Sequence, residues 1–199
     1  MRLLMIWLLA LPAVLLAGCD KRSEPRGQEK TQANNKSQTS SEDIILESAN
    51  GMSAVLSYTY QGSEAPSGTF TGADGRDVSL SDFAGRPLLV NIWATWCAPC
   101  KAEMPTIDAL AEIEAGTMSV IAVSQDLQGR APVLDFFKQS GIRNLEPYTD
   151  EDNMLLSHFG GISLPTTILY DSGGKEVWRV QGGLEWNDEE VAGLLREAG

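Results

Sequence analysis

Two cysteines separated by two residues are the side chains of this sequence best suited to do chemistry. Cys97 and Cys100 enclose Ala98-Pro99 and follow the apolar run 87–94, which has the composition of a buried strand. After them, the segment 102–115 carries apolar residues at helical spacing. The pair therefore stands where a strand turns into a helix, and the unpaired N–H groups of a helix start favour a thiolate. This arrangement predicts dithiol–disulfide redox chemistry.

Two other uses of the cysteine pair find little support in the composition. A structural zinc site takes about four nitrogen or sulfur ligands, and beyond the pair the chain offers only Cys19 and His158. A disulfide kept for stability alone constrains little of the unfolded chain when it closes so short a loop. We therefore predict no metal site, and we expect His158 to be a packing residue at a helix end rather than a ligand or a base.

The first 18 residues have the pattern of a signal peptide. One basic residue, Arg2, precedes a leucine-rich run that is short for a transmembrane helix. The run ends in Leu16-Ala17-Gly18-Cys19, which resembles the bacterial lipobox. This resemblance implies lipidation of Cys19 and anchoring at the periplasmic side of the inner membrane. Ordinary cleavage, which would give a soluble periplasmic protein, and retention as an anchor helix are the alternatives.

The rest of the chain divides by composition into a tether, a short ambiguous segment and one domain. Residues 19–43 carry hardly an apolar side chain, which predicts a disordered tether. The lipobox resemblance implies that this tether is lipidated at Cys19. Residues 44–65 form an extension that could be a strand pair or an additional helical turn. Residues 66–199 are long enough for one core. The elements predicted there are a hairpin at 70–82, strands at 87–94, 118–124, 165–170 and 176–181, and helices at 102–115, 132–139, 151–159 and 186–198.

This order of elements predicts an α/β fold with a mixed central sheet flanked by helices on both faces. Together with Trp96-Cys97-Ala98-Pro99-Cys100, it resembles the thioredoxin fold. The stretch 82–105 resembles the TlpA/ResA group of membrane-anchored periplasmic thiol:disulfide oxidoreductases, and the likeness continues through Leu164-Pro165 and the segment 182–186. The resemblance implies a protein-disulfide reductase that needs no cofactor. It also implies disulfide-containing clients, such as apocytochrome c or copper-site proteins of respiratory oxidase assembly, and a membrane electron donor that re-reduces the dithiol.

The same resemblance assigns roles to individual residues. Cys97 would be the attacking thiol and Cys100 the resolving thiol. Glu103 stands where the ResA branch has an acidic side chain able to exchange a proton with Cys100, although a glutamate in a first helical turn also complements the helix dipole. Asn91 replaces the buried aspartate of thioredoxins and, being uncharged, cannot carry a proton itself. The residues implied to shape the site and dock the client are Trp96, Ala98, Pro99, Leu164 and Pro165, the last as a cis-proline.

Charge limits the partners, and two other functions stay open. The chain carries 27 acidic and 15 basic residues, a formal net charge of −12. This balance argues against nucleic acid and against direct binding to anionic lipid, so the predicted membrane contact is the lipid anchor alone. A disulfide-forming oxidase is one alternative. A non-enzymatic copper-site assembly factor, holding Cu(I) with the cysteine pair and His158, is the other.

Overall fold

One mixed sheet of nine strands carries the fold in residues 43–199, the part of the chain that the computed structural model describes. The predicted signal peptide, Cys19 and nearly all of the predicted tether lie outside those residues. The strands are β1 (Ile44–Glu47), β2 (Ser53–Ser57), β3 (Thr69–Thr71), β4 (Asp77–Ser79), β5 (Leu88–Trp93), β6 (Ser119–Ser124), β7 (Tyr148–Thr149), β8 (Thr166–Tyr170) and β9 (Glu176–Gly182). The α-helices are α1 (Ala98–Ile113), α2 (Arg130–Ser140), α3 (Met154–His158) and α4 (Glu189–Leu195), with short 3₁₀ turns at Leu80–Phe83 and Arg196–Ala198.

Strand β5 lies near the middle of the sheet, whose order is β1-β2-β9-β8-β5-β6-β7-β3-β4. It pairs in parallel with β6 and antiparallel with β8. All six of its residues are buried, which explains why its sequence is apolar almost without interruption instead of alternating. The turn that carries Cys97 therefore leaves the sheet from a strand that is held on both sides.

Helices cover both faces of the sheet. On one face, side chains of α1, α2 and α4 share a core with Leu89 and Trp93 of β5. On the other face, α3 and the 3₁₀ turn Leu80–Phe83 pack with Leu88, Val90 and Ile92 of the same strand. This architecture confirms the predicted fold class, and none of the helices described in residues 43–199 combines the length and apolar character needed to span a bilayer.

The ambiguous segment 44–65 is a strand pair rather than a helical turn. β1 pairs with β2, and β2 continues the sheet by pairing with β9. Gly182, at the end of β9, makes this close pairing possible: its φ is +110°, and a Cβ there would lie 2.5 Å from the Ser53 carbonyl oxygen. The segment thus extends the sheet of the 66–199 domain.

Local hydrogen bonds explain where the predicted helices begin. The predicted hairpin is present as β3–β4, but all four α-helices start at other residues than predicted. The helix α2 starts at 130 and not at 132, and local hydrogen bonds account for the other three. Cys97 caps α1, so this helix starts at residue 98 and not at 102. Asp150 accepts from the backbone of Met154 and Leu155 (2.9 and 2.8 Å), which delays α3 from 151 to 154. Asp188 caps α4, so the helix starts at 189 and not at 186.

Candidate active site

The two cysteines form a disulfide at the amino end of α1. Cys97 is the N-cap residue, and its Cα lies 5.3 Å from the Cα of Cys100. The backbone N–H of Cys100 donates to the Cys97 sulfur at 3.3 Å. Pro99 occupies the first turn, where a missing N–H costs nothing. When the disulfide opens, the same N–H and the helix dipole are positioned to stabilise negative charge on Cys97.

The two sulfurs differ in their access to solvent. Cys97 keeps 6% of its surface exposed, whereas Cys100 is fully buried. Trp96, directly before the pair, is 66% exposed, and Ala98 and Pro99 are exposed between the cysteines. An incoming thiol or disulfide can therefore reach the Cys97 side of the bond but not Cys100.

The Leu164–Pro165 peptide bond is cis. Pro165 directly precedes β8, whose first residue, Thr166, is paired with Ile92 near the end of β5. The cis bond thus lies at the edge of the sheet from which the active-site turn departs. The Pro165 carbonyl accepts from the Gly182 N–H at 2.9 Å, and the half-buried Leu164 packs against both cores. The structure therefore brings the predicted docking residues to the edge that carries the cysteines.

Glu103 lies one helical turn below Cys100 and is fully buried. Its Oε1 accepts from Asn91 Nδ2 at 2.8 Å, and its Oε2 accepts from the Leu184 N–H at 3.1 Å and the Trp186 indole N–H at 3.0 Å. Burial raises the pKa of Glu103 from 4.5 to about 7, and the three hydrogen bonds limit this rise. A carboxyl group with this pKa can both accept and donate a proton near neutrality.

Asp126 anchors the loop before the cysteines from the other side. This buried carboxylate accepts from the Thr95 N–H at 2.8 Å, from the Thr95 hydroxyl at 2.6 Å and from the Ser124 hydroxyl at 2.6 Å. It fixes the turn two residues before Cys97. Asp126 was not among the predicted site residues, although a polar residue just beyond a buried parallel strand lies at the edge where ligands and active sites of α/β sheets assemble.

Other contacts of the site could not be read from the sequence. Asn91 also donates to the Thr167 hydroxyl at 2.9 Å, which joins β5 to β8. Thr167, Leu184 and Trp186 lie more than 60 residues from the cysteines, and no local pattern marks them as partners of Glu103. Trp93 is buried and stacks on Phe137, with ring centroids 5.9 Å apart.

His158 stands at the end of α3, exposed, with its ring edge-on to Phe159 at 5.0 Å. Within residues 43–199, no three histidine, cysteine, aspartate or glutamate side chains are grouped so that they could hold a metal ion. The predicted lipidation site, Cys19, lies outside the described residues.

Comparisons with known proteins agree with this geometry. The family model described as Redoxin matches residues 60–195. The chain is 31% identical over 161 residues to a thiol-disulfide oxidoreductase ResA of Bacillus cereus, covering 77% of this chain and 91% of the relative. It is 32% identical over 123 residues to ResA of Bacillus subtilis, covering 61% and 68% of the two chains.

Solved structures are similar to this chain as well. A DsbE-type thiol:disulfide interchange protein from Chlorobium tepidum aligns with a TM-score of 0.59 at 26% identity, covering 70% of this chain and 98% of the other. An exposed lipoprotein thioredoxin from Streptococcus pneumoniae aligns with a TM-score of 0.54 at 26% identity, covering 65% and 98%. With its Cys97–Cys100 disulfide and its thioredoxin-like sheet, the chain belongs to the Redoxin family and, within it, to the ResA-type thiol-disulfide oxidoreductases.

Proposed function

We propose that this chain is a tethered dithiol reductase that opens disulfides of client proteins in an oxidising compartment. The Cys97 thiolate attacks a client disulfide, forms a mixed disulfide with one client sulfur and releases the other as a thiolate. Cys100 then loses its proton to Glu103 and attacks the Cys97 sulfur, so that the client's second thiolate leaves and the Cys97–Cys100 disulfide closes. Two electrons pass from the dithiol to the client.

The observation that carries this proposal is the asymmetry of the pair. Cys97 caps the helix and is the accessible sulfur, while Cys100 is buried one helical turn before Glu103, a buried carboxyl group with a pKa near neutrality. An attacking thiol needs access and thiolate stabilisation, and a resolving thiol needs a local proton acceptor. The roles that the resemblance implied for Cys97, Cys100 and Glu103 are therefore supported by independent features of the fold.

The direction of electron flow is proposed from the residues between the cysteines. Ala98 and Pro99 are neutral, so thiolate stabilisation is left to the helix start. Strong disulfide oxidants instead owe their oxidising power to an unusually stabilised reduced form. We therefore favour a reductase, recharged by a membrane donor, over a disulfide-forming oxidase.

The clients and the location rest on the resemblance to the TlpA/ResA group and on the lipobox. We propose clients of cytochrome c or copper-site biogenesis, and a location at the periplasmic face of the inner membrane with the lipid on Cys19. A structural neighbour described as an exposed lipoprotein thioredoxin supports such an arrangement. We propose a signal peptide at 1–18, a lipidated tether at 19–43 and an enzymatic domain at 66–199 with the 44–65 strand pair as its extension. Replacing Cys19 by serine should release the protein from washed membranes.

The reduction potential of the Cys97–Cys100 pair tests the proposed direction. It is measured by equilibrating the full-length protein with thiol buffers of known poise and trapping the thiols at each point. A value near that of thioredoxin, about −270 mV, is the expected result. A value near that of DsbA, about −120 mV, would overturn the reductase and make the protein an oxidase.

A further inference from the structure

Asn91 lies in β5 between the carboxylate of Glu103 and the hydroxyl of Thr167. Its Nδ2 donates to Glu103 Oε1 at 2.8 Å and to Thr167 Oγ1 at 2.9 Å. Both amide hydrogens are thereby used, while Asn91 Oδ1 is buried and has no hydrogen-bond partner among the described residues. An unpaired acceptor in the core costs free energy, so packing alone does not account for an asparagine at this position.

The contacts of Glu103 determine where its carboxyl group can hold a proton. Oε2 accepts from the Leu184 N–H and from the Trp186 indole N–H, and neither of these groups can accept a hydrogen bond. A proton on Oε2 would therefore face two donors. Oε1 faces Asn91, and a proton there finds an acceptor only when the amide presents its oxygen. Protonated Glu103 thus requires the reversed amide of Asn91.

We propose that Asn91 is a positioning residue whose side-chain amide reverses each time Glu103 gains or loses a proton. A half-turn about χ2, a soft torsion in asparagine, exchanges Nδ2 and Oδ1. In the reversed orientation Oδ1 accepts from the Glu103 O–H and from the Thr167 hydroxyl, because a hydroxyl can act either as donor or as acceptor. In each protonation state, one atom of the Asn91 amide then makes two hydrogen bonds, to Glu103 and to Thr167. The other amide atom is unpaired.

The reversal belongs to the step in which Cys100 resolves the mixed disulfide, so the inference rests on the proposed function. The Cys100 thiol gives its proton to Glu103, its sulfur bonds to the Cys97 sulfur, and the bond from Cys97 to the client sulfur breaks. Asn91 Oδ1 holds the proton on Glu103 until it passes to the client thiolate or to water. Aspartate at position 91 could not do this, because a second charge would repel that of Glu103 and no N–H would remain to donate.

The elements around Glu103 present few other ionisable groups. On α1, Cys97 and Cys100 are joined in the oxidised protein and do not titrate. The groups from the neighbouring elements are Asn91 of β5, Thr167 of β8, and Leu184, Glu185 and Trp186 of the segment after β9. Of these, Glu185 is ionisable; it is half-buried, and its backbone N–H donates to Ser48 Oγ at 3.0 Å.

Nuclear magnetic resonance of the oxidised, full-length protein tests the reversal. The probes are the Glu103 side-chain carbonyl shift and the nuclear Overhauser effect between the Asn91 amide protons and the Thr167 methyl group. Both are followed from about pH 9 to about pH 5. The Overhauser effect should be present while Glu103 is ionised and lost when it is protonated, with the same midpoint as the carbonyl shift. Glu103→Gln should lack it at every pH, because the glutamine amide donates to Asn91 Oδ1, and Glu185→Gln should behave as wild type.

The outcomes separate the inference from the function on which it rests. If the Overhauser effect persists on both sides of the Glu103 titration, the reversal is wrong while the proton role of Glu103 stands. If Glu103 does not titrate in this range, both the reversal and its proposed proton role are wrong, and the reduction potential still decides the redox direction. The wild-type measurement is decisive even if Glu103→Gln does not fold.

Discussion

Two buried glutamates in this fold face opposite kinds of partner. Glu176, at the start of β9, is bound by Arg179 through two hydrogen bonds of 2.7 Å, and the guanidinium lies 3.9 Å from the centre of the Tyr60 ring. Among residues 43–199, the groups that donate to the Glu103 carboxylate are all neutral N–H groups. The charge of a buried carboxylate beside a buried cation is compensated, whereas burial without a counter-charge raises the pKa of a carboxyl group and favours its protonation. The comparison separates a structural acid from an acid that can do chemistry.

The largest expected effect comes from breaking the structural pair. Glu176→Gln leaves the buried Arg179 without its counter-charge, and we expect the free energy of unfolding at neutral pH to fall by about 3–5 kcal/mol. Urea unfolding measures it. Combining Glu176→Gln with Arg179→Met should recover most of the loss, because neither buried charge then remains unpaired. The disulfide-exchange rate of the folded enzyme should not change; a large change would show that this pair also serves the active site.

Removing the charge of Glu103 should have the opposite effect and increase the free energy of unfolding. Its pKa is raised from 4.5 unfolded to about 7 folded, so the contribution of Glu103 to the free energy of unfolding is fully present below pH 4.5 and is lost as pH rises to about 7. The loss is about 3 kcal/mol at higher pH. Glu103→Gln cannot ionise and therefore avoids this loss of stability. It should be more stable than wild type above pH 7 by up to that amount, as urea unfolding across this pH range will show.

The same substitution should slow the chemistry. Glutamine cannot accept the Cys100 proton, so the mixed disulfide should resolve more slowly by about 10²-fold or more, as measured by rapid acid quenching. A variant that is less stable than wild type at high pH, or that resolves at the wild-type rate, would remove Glu103 from the class of reactive acids.

Removing one hydrogen-bond donor to Glu103 should have a smaller effect, and it tests the same contrast between the two buried glutamates. Trp186→Phe removes one N–H that donates to the ionised carboxylate, a hydrogen bond worth about 1.5–3 kcal/mol. The pKa of Glu103 should therefore rise further, by about one to two units, as read from its carbonyl shift. Trp178→Phe is the matched control, because the Trp178 indole donates to the Leu194 carbonyl at 3.2 Å and does not touch Glu103. Equal responses of the two variants would mean that tryptophan packing, not the hydrogen bond, sets the pKa.

The reach of sequence reasoning differs between these parts of the molecule. The strand, turn and helix around Cys97 and Cys100 were predictable because their signals are local: an apolar run, a cysteine spacing and a helical period. The pair β1–β2 stayed ambiguous because what selects the strand form is pairing with β9, some 120 residues along the chain. β7 has two residues and no pattern of its own, and it exists because β6 and β3 both pair with it.

The candidate site follows the same rule. Its cysteines and Glu103 lie within one helix start, and their spacing identifies them. Leu184 and Trp186 reach Glu103 only through the folded path of β8 and β9, and Asp126 reaches Thr95 only because β5 and β6 end side by side. From the sequence alone, a carboxylate in the first turn of a helix could equally serve to complement the helix dipole. Its complete burial and neutral partners, which distinguish the two readings, are properties of the tertiary structure.

The smallest effect is expected at a third glutamate, which is exposed and has no cationic partner in the part of the chain that the structure describes. Glu197 accepts from the Tyr58 hydroxyl at 3.1 and 3.0 Å in a solvent-exposed contact between the end of β2 and the C-terminal 3₁₀ turn. Tyr58→Phe should change the free energy of unfolding at pH 8 by less than about 0.5 kcal/mol.

Partial burial, and then Glu197, raise the pKa of Tyr58 from 10.0 to about 12. The hydroxyl must ionise more readily in the unfolded chain, so wild type should lose stability relative to Tyr58→Phe as pH rises from 10 to 12. Urea unfolding at both pH values measures this difference, and the exchange rate should be unaffected. A loss of several kcal/mol at pH 8 would mean that burial and ion pairing do not determine how strongly each of these three glutamates affects the free energy of unfolding.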